Sequence, residues 1–356
     1  RGDNRHGVFL VTESEAITYH YELGLRPESL QPDPRIAHTL NLRTDAYGNV
    51  LESVAIAYPR IGRYEDASLP TGAEALINQV QQKRHLVYTE NRFTQDAIGD
   101  DRYRLRLPCE VKTYELTGIV PERGMYFTLA ELRQAAIAET VPAIAYHVVP
   151  NRTIPQKRLV EQVRMLYLSD DLATPLPFGE IDALALPYET YKLALTDDLL
   201  ETVLSERLTP EIRRDLDNAD LSGYLSGSVL AARFPDLDTT GQYWIRSGIA
   251  GFEANARDRF YLPDRYTDAF GNATRLAYDA PYYLFPRTTI DPLDNQTEVL
   301  RFNYRVLAPE EVRDPNQNLS EVAFDVLGMP VAMALKGKGA EGDSLGDVPL
   351  EIEGDR

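Results

Sequence analysis

Several short runs of the chain alternate apolar and polar residues. In "TDAFGNATRLAYD", residues 267–279, the side chains of Thr274, Leu276 and Tyr278 recur at every second position, and Arg275 falls between two of them. A period of two is typical of a β-strand that has one apolar face and one polar face. The run follows a cluster of turn-forming residues, so the pattern predicts a strand that leaves a tight hairpin. One hairpin cannot bury its own apolar face, and it needs neighbouring units.

The turn ahead of this strand has the pattern Asp-x-x-x-Asn, which occurs at four related places. Aspartate can accept hydrogen bonds from backbone N–H groups two residues further on, and Gly or Asn tolerates the left-handed backbone that a tight reversal needs. The last three copies begin 23 residues apart, which indicates a stacked repeat. We predict that the following residues form structural turns: Asp45, Asn49, Asp268, Gly271, Asn272, Asp291, Asn295, Asp314 and Asn318.

The strands after these turns match one another, with one departure. Ser320, Val322 and Phe324 take the places of the alternating residues described above, and Glu321 points to the other side. In the copy between them the alternation slips, because Arg301 stands where the other copies have an aromatic side chain.

Helices are predicted in three places, residues 71–86, 127–139 and 196–217. The second begins with a capping box, in which Thr128 and Glu131 satisfy each other's backbone N–H groups. The third contains two helices. The first begins with acidic residues, which the positive end of the helix dipole favours, and the second has Thr209 as its cap and Pro210 at its first position. Together with the alternating runs, these signals predict a mainly β fold, an antiparallel sheet with short inserted helices.

The same signals divide the chain into four segments. We predict a strand-rich segment at 1–120, a mixed segment with helical insertions at 121–255, β-hairpin repeats at 256–340 and a tail or truncation at 341–356. Because residue 1 is Arg and the last residues show no obvious terminus, we expect an excerpt of a longer polypeptide.

Composition narrows the function classes. The chain has 356 residues and a formal charge of −18, so it lacks the basic surface that binding to nucleic acid needs. Its single cysteine, Cys109, excludes an internal disulfide and a cysteine-based zinc site. No stretch approaches the roughly 20 apolar residues that span a bilayer. We therefore expect no nucleic-acid partner, no membrane insertion and no cofactor.

Few residues suggest catalysis or metal binding. The acidic pairs Asp170–Asp171 and Asp197–Asp198 are interpreted as a loop and a helix start, with a hydrolase dyad as the alternative. The Asp-x-x-x-Asn motifs are interpreted as turns rather than calcium loops, which need closely spaced oxygen ligands and a terminal Glu. Cys109 is expected in a buried strand. The histidines show no metal spacing; they are His6, His20, His38, His85 and His147.

Two further motifs have functional alternatives. The sequence "RGDN" at residues 1–4 spells an integrin tripeptide, but a match of three letters is weak. Trp244 lies in "GQYWIRSG" between tyrosine-bearing stretches, so a sugar-stacking site is an alternative to a core position. We predict no catalytic residue and no metal ligand.

The repeats resemble those of RHS/YD-repeat proteins, and the chain as a whole resembles the later part of the B component of insecticidal Tc toxin complexes. The resemblance spans roughly residues 38–338 and depends on long blocks in a fixed order. Among them are "HTLNLRTDAYGNVLESVAIAYPR", "LYLSDDLATPLPFGEIDALALPYETYKLALT" and "FYLPDRYTDAFGNATRLAYD".

This resemblance implies a structural role. The B and C components of that family form a hollow shell of curved antiparallel β-sheet around a cytotoxic polypeptide, and the shell docks on a pore-forming A component. It implies a secreted, non-enzymatic shell segment with the C component and the enclosed toxic polypeptide as partners; contact with the A component would use regions outside this chain. The alternative is a β-sheet binding module for a cell-surface glycan or protein.

Overall fold

A ten-stranded, mainly antiparallel sheet forms the first part of the protein. The computed structural model describes residues 7–21, 33–66 and 68–337. The first twelve strands are β1 (Glu15–His20), β2 (Arg35–Thr44), β3 (Val50–Ala57), β4 (His85–Phe93), β5 (Ala97–Ile98), β6 (Tyr103–Arg104), β7 (Pro108–Thr117), β8 (Ala143–Ile144), β9 (Gln156–Tyr167), β10 (Pro187–Thr196), β11 (Tyr224–Ser226) and β12 (Gln242–Arg246). The sheet runs in the order β1-β2-β3-β4-β7-β9-β10-β12-β11, with β8 added in parallel to β9, and β5 and β6 pair separately.

An eight-stranded meander forms the second sheet. Its strands are β13 (Ile249–Gly251), β14 (Arg265–Thr267), β15 (Ala273–Tyr278), β16 (Pro286–Ile290), β17 (Gln296–Asn303), β18 (Ala308–Arg313), β19 (Leu319–Phe324) and β20 (Pro330–Lys336). Each strand pairs antiparallel with the next one along the chain. Consecutive turns of a meander lie at alternate ends of the sheet. The Asp-x-x-x-Asn turns recur every 23 residues, so each repeat contains two strands and forms one complete hairpin.

Almost all of the short helices lie in the part of the chain that forms the first sheet. They are α1 (Ala73–Gln81), α2 (Leu129–Gln134), α3 (Ile137–Thr140), α4 (Asp197–Leu204), α5 (Pro210–Asp217), α6 (Ala219–Ser222) and α7 (Gly227–Leu230), with 3-10 turns at Ser205–Arg207 and Ala256–Arg259. The predicted mainly β, antiparallel fold with short inserted helices is confirmed.

Two of the predicted helices differ from the observed ones. The helix predicted at 71–86 ends at Gln81, and its last residues belong to β4, where Leu86 and Tyr88 alternate into the core and pair with β3 and β7. The helix predicted at 127–139 breaks at Ala136, whose φ is 42°. Leu132 and Ile137 are both buried, yet five helical residues would turn the two side chains about 140° apart. The break therefore lets both reach the core.

Helices cover one face of the first sheet and create its main core. Strands β2, β3, β4 and β7 contribute alternate side chains, which pack under α2 and α3. The buried members of this core are Ile36, Leu40, Leu42, Val54, Ile56, Tyr58, Leu86, Tyr88, Tyr114, Leu116, Phe127, Leu132, Ile137 and Val141. A second core lies under the segment from α6 to β12 and includes Leu166, Tyr191, Leu225, Leu230, Phe234 and Trp244.

The two sheets meet where β12 passes into β13, with only Ser247 and Gly248 between them. Beside this junction, Arg246 Nη2 donates to the carbonyl of Ala269, 2.5 Å away, in the turn between β14 and β15. The ring of Phe270 packs on Gly223, which has a φ of 74°, and a Cβ atom there would lie 2.7 Å from the ring. The first repeat turn thus docks against the helical insertion of the first sheet.

Candidate functional site

The turn at Asp268 is closed by five hydrogen bonds. Its backbone N–H donates to the carbonyl of Asn272 at 2.9 Å, and the N–H of Gly271 donates to the carbonyl of Asp268 at 3.2 Å. Asp268 Oδ1 accepts the backbone N–H groups of Phe270 and Asn272 at 2.9 and 2.8 Å. Its Oδ2 accepts the side-chain amide of Asn272 at 3.0 Å. The carboxylate therefore binds three N–H groups of its own turn.

The same arrangement recurs at the other three predicted turns. Asp45, Asp291 and Asp314 each accept the backbone N–H and the side-chain amide of the Asn four residues on, at 2.8–3.0 Å. In each turn the fourth residue has a left-handed backbone; these residues are Gly48, Gly271, Asp294 and Gln317. The motif thus tolerates a non-glycine residue at the strained position.

A fifth turn of this kind, at Asp325, was missed by the sequence pattern. Asp325 Oδ1 accepts the N–H groups of Leu327 and Met329 at 2.8 and 2.9 Å, and the backbone bonds match those of the other turns. Met329 takes the place of the Asn, so the side-chain bond is missing here. The signal that could have found it is Asp-x-x-Gly, with Gly328 at the left-handed position.

Hydrogen bonding favours the ionised form of the Asp268 and Asp291 carboxylates. The Asn272 side chain, followed by backbone N–H groups, lowers the pKa of Asp268, and Asn295 does the same for Asp291. A carboxylate surrounded by N–H donors is a poor ligand for a cation, which favours the turn interpretation over the calcium alternative. Within residues 7–21, 33–66 and 68–337, no group of three His, Cys, Asp or Glu residues is placed to hold a metal ion.

Strand register separates the second sheet into two different faces. The uncharged face carries only apolar and hydroxyl-bearing side chains at its paired positions, which include Tyr266, Thr274, Leu276, Thr289, Thr297, Val299, Val312, Ser320, Val322, Met333 and Leu335. The predicted sharing of one face by Thr274 and Leu276, and by Ser320 and Val322, agrees with the register, which then shifts at the third predicted member of each set, Tyr278 and Phe324. This face is open at β20, where the side chains of Met333 and Leu335 are 76% and 72% exposed, whereas Leu276, Val299 and Val322 are half-buried.

The opposite face, called the charged face, carries ion pairs between neighbouring strands. Arg313 of β18 lies 3.4 Å from Glu298 of β17, and Lys336 of β20 lies 2.7 Å from Glu321 of β19. Arg301 comes within 3.9 Å of Glu321. The charges are therefore satisfied mainly by one another across the strands.

A β-bulge explains the slip in the middle repeat. The pairing of β17 with β18 shifts between Val299 and Arg301, because Val299 pairs with Val312 and Arg301 pairs with Glu311. The extra residue moves Arg301 to the charged face, where its guanidinium reaches carboxylates on β18 and β19. The irregular residue in the sequence thus marks a real change of register.

The first sheet contains a buried ion network that sequence analysis did not find. Arg164 Nε donates to Glu110 at 2.6 Å, and its two Nη groups bind both oxygens of Asp236 at 2.8 and 3.1 Å. Its guanidinium also lies 4.2 Å from the centre of the Phe178 ring and 5.0 Å from that of Phe234. Hydrogen bonds from Arg164 lower the pKa of Asp236 to about 2. The network fastens the segment between β11 and β12 to the sheet.

The remaining candidate residues occupy structural positions. Burial raises the pKa of Cys109 to about 11, so its thiol stays protonated at neutral pH. Asp171 accepts N–H groups of its own loop, and Asp197 pairs with Arg213 at 2.8 Å. The ring of Trp244 is fully buried, which removes it from sugar stacking.

Two sequence predictions fall outside the described residues. They are the Arg-Gly-Asp motif at residues 1–3 and the tail at 341–356, and His6 lies outside as well. No helix among the residues that the structure describes has the length and apolar character to cross a membrane.

Comparison with known proteins supports the resemblance seen in the sequence. Residues 1–107 match the family described as "Insecticide toxin TcdB middle/C-terminal region". A search of curated proteins found no match. The resemblance to the later part of the B component of insecticidal Tc toxin complexes is confirmed.

Solved structures share the fold. A crystal structure of TcdB2–TccC3 with Cdc42 matches 91% of this chain with 21% identity and a TM-score of 0.58. The Tc holotoxin pore of Photorhabdus luminescens, with a substitution in TccC3, matches the same share with 21% identity and a TM-score of 0.56. In both cases this chain spans 14% of the length of the chain it matches.

Proposed function

We propose that this chain is a wall segment of a secreted toxin-complex shell, which assembles with a C component and encloses a cytotoxic polypeptide. Its role is sequestration, and it catalyses no reaction itself. The similar solved structures contain TcdB2 with TccC3, or a holotoxin pore, which supports a C component as partner and assembly with an A component.

The observation that carries this proposal is the difference between the two faces of the second sheet. A soluble protein normally covers an apolar sheet face with a second layer. Here the uncharged face is open over its last strand in the described part of the chain, where Met333 and Leu335 are exposed. A shell wall needs this division, because one face meets water and the other meets the enclosed polypeptide. We assign the uncharged face to the cavity and the charged face to the outside.

The repeat turns fit the same role. They fix each hairpin through bonds within five residues, so the sheet can be extended strand by strand without a core beneath it. The turns at Asp268, Asp291 and Asp314 lie on one end of the meander and are separated by two strands, about 10 Å. A wall built in this way is limited only by the number of repeats.

Co-expression with a C component that carries its cytotoxic segment tests the proposal. We expect this chain to co-purify with the C component as part of the longer B polypeptide, and we expect the cytotoxic segment to resist added protease. Failure to co-purify would contradict the shell assignment and favour the alternative, a binding module for a glycan or protein.

Matched substitutions test which face lines the cavity. Met333→Glu with Leu335→Glu places two charges on the uncharged face, and Ala277→Glu with Gln296→Glu places two on exposed positions of the charged face. We expect only the first pair to weaken protease protection of the cytotoxic segment. Loss of protection with the second pair alone would reverse the assignment of the faces.

A further inference from the structure

A buried histidine links the edge strand of the first sheet to its helical layer. His38, on β2, is 2% exposed. Its Nδ1 lies 3.0 Å from the hydroxyl of Tyr58, and its Nε2 lies 3.5 Å from a carboxylate oxygen of Glu15, on β1. The Tyr58 hydroxyl in turn accepts the backbone N–H of Phe127 at 3.0 Å. Three separate parts of the chain therefore meet at one imidazole.

The surroundings of His38 favour the tautomer whose N–H points towards the Glu15 carboxylate. The Tyr58 oxygen accepts from Phe127, so its own hydrogen is free to donate to His38 Nδ1. Nδ1 is then the acceptor, and the proton of the neutral imidazole lies on Nε2, which faces the Glu15 carboxylate. A second proton could be added only at Nδ1, where the Tyr58 hydroxyl is bound.

The groups around Tyr58 connect His38 to strand β1 and to the helical layer, so a change at His38 affects both. The Tyr58 ring packs edge-on against Tyr126, with ring centres 5.0 Å apart. The hydroxyl of Tyr19, on β1, donates to that of Tyr126 at 3.3 Å. Phe127 is 3% exposed and lies directly before the capping residue of α2. All six residues of β1 are exposed, so little else holds this strand besides its pairing with β2.

We propose that His38 is an acid-sensitive clasp: gain of a second proton removes Nδ1 as the acceptor of the Tyr58 hydroxyl and loosens both the edge strand β1 and the entry of the helical layer at Phe127. The charged and titratable groups facing the cluster are Glu15 from β1, Tyr58 after β3, Arg84 before β4, and Tyr126 and Glu131 at the start of the helical layer. Among the charged groups named here, Glu15 contacts the imidazole and compensates the new charge.

The balance of these effects opposes protonation in the folded state. Burial lowers the pKa of His38, and Glu15 raises it by a smaller amount, so the pKa lies below its usual value of 6.5. The unfolded chain therefore binds the proton more readily than the folded one. The stability that depends on neutral His38 is fully present above the unfolded pKa and falls as the pH drops through it. Each unit by which folding lowers the pKa corresponds to about a tenfold change in the folding equilibrium.

The test compares the wild type with His38→Gln between pH 7.5 and 5.5. Glutamine can accept from Tyr58 and donate towards Glu15, but it does not titrate. We expect the Tm of the wild type to fall by several degrees more on acidification than that of H38Q. Amide exchange of β1 and Phe127, corrected for the intrinsic pH effect, should accelerate in the wild type only. His85→Gln is the matched control, because His85 is exposed on β4 and should leave the pH response unchanged.

A second variant keeps the test decisive if H38Q does not fold. Glu15→Gln removes the charge that compensates the imidazolium and leaves a side chain that is largely exposed. We expect E15Q to increase the loss of Tm at pH 5.5 relative to the wild type, with little change at pH 7.5. An equal pH response in the wild type, E15Q and H38Q would overturn the proposal, and so would accelerated exchange at sites distributed evenly over the sheet.

Discussion

The two sheets share antiparallel pairing and the same Asp turns, yet they are stabilised by different means. In the first sheet, helices cover one face, and the residues beneath them form cores that include Tyr88, Leu132 and Trp244. In the second sheet, the uncharged face is open at Met333 and Leu335, whereas the buried residues Glu321, Ala323 and Ala334 lie on the charged face. Local turns and ion pairs across strands stabilise this sheet. The comparison teaches that hairpin turns can define a sheet's topology, whereas burial determines how much a substitution changes the free energy of unfolding.

The largest contrast is expected from the arginines that bridge strands in each sheet. Arg164→Met removes the closest cation from Glu110, which is 2% exposed and keeps the half-exposed Arg92, 3.5 Å away, as a charged partner. We expect this to cost about 3–5 kcal/mol in the free energy of unfolding. Arg313→Met removes a half-exposed partner of Glu298 in the second sheet and should cost at most about 1 kcal/mol. Denaturant unfolding of both variants measures the difference.

The double variant Glu110→Gln with Arg164→Met sharpens this test. Removing both charges should recover part of the stability lost in Arg164→Met, because the penalty comes mainly from a buried carboxylate that has lost its closest cation. Equal losses from Arg164→Met and Arg313→Met would mean that the two sheets do not differ in the way described.

A matched pair of leucines tests burial without charge. Leu132→Ala truncates a side chain of α2 that packs on the first sheet and is 1% exposed. We expect this to lower the free energy of unfolding by about 2–5 kcal/mol. Leu335→Ala removes the same atoms from the uncharged face of the second sheet, where we expect a change within about 0.5 kcal/mol for the isolated chain. Thermal and denaturant unfolding report both values. In the assembled shell, a larger cost for Leu335→Ala would indicate that assembly covers this face.

Sequence analysis succeeded where structure depends on neighbouring residues. The turn at Asp268 needs only five consecutive residues, so spacing was sufficient to predict it, and alternation was sufficient to place Leu276 and Arg275 on opposite faces. The capping box of Thr128 and Glu131 is local in the same way and is present. The turn at Asp325 escaped the pattern because its backbone bonds require no Asn side chain.

Features that depend on distant residues could not be predicted. Arg164 binds partners 54 and 72 positions away in the sequence, and nothing local distinguishes it from a surface arginine. The break at Ala136 follows from the need to bury two side chains against a sheet that the helix sequence does not encode. The bulge beside Arg301 left a trace in the alternation, but its cause lies in carboxylates on two other strands.

A smaller effect is expected where the two sheets are alike. Asn49→Ala and Asn295→Ala remove the same side-chain bond from one turn in each sheet, at Asp45 and Asp291. Each should cost about 0.5–1.5 kcal/mol, since one hydrogen bond between partly exposed groups is lost. Denaturant unfolding measures both costs. A much greater loss at Asn49 would show that the turn is coupled to the core of the first sheet, where Arg106 also contacts Asp45 at 3.3 Å.

The smallest expected effect is a gain at the turn that lacks an Asn. Met329 occupies the position of Asn272 in the turn of Asp325, and its backbone N–H already donates to Asp325 Oδ1 at 2.9 Å. Met329→Asn would place a side-chain amide where the other four turns donate to Oδ2, so we expect stabilisation of up to about 1 kcal/mol. Met333→Asn is the control, because the same substitution four residues later, in strand β20, meets no turn carboxylate. A rise in Tm for M329N but not for M333N would establish the turn as a transferable unit of this sheet; equal changes in both variants would show that the amide adds nothing to the backbone bonds.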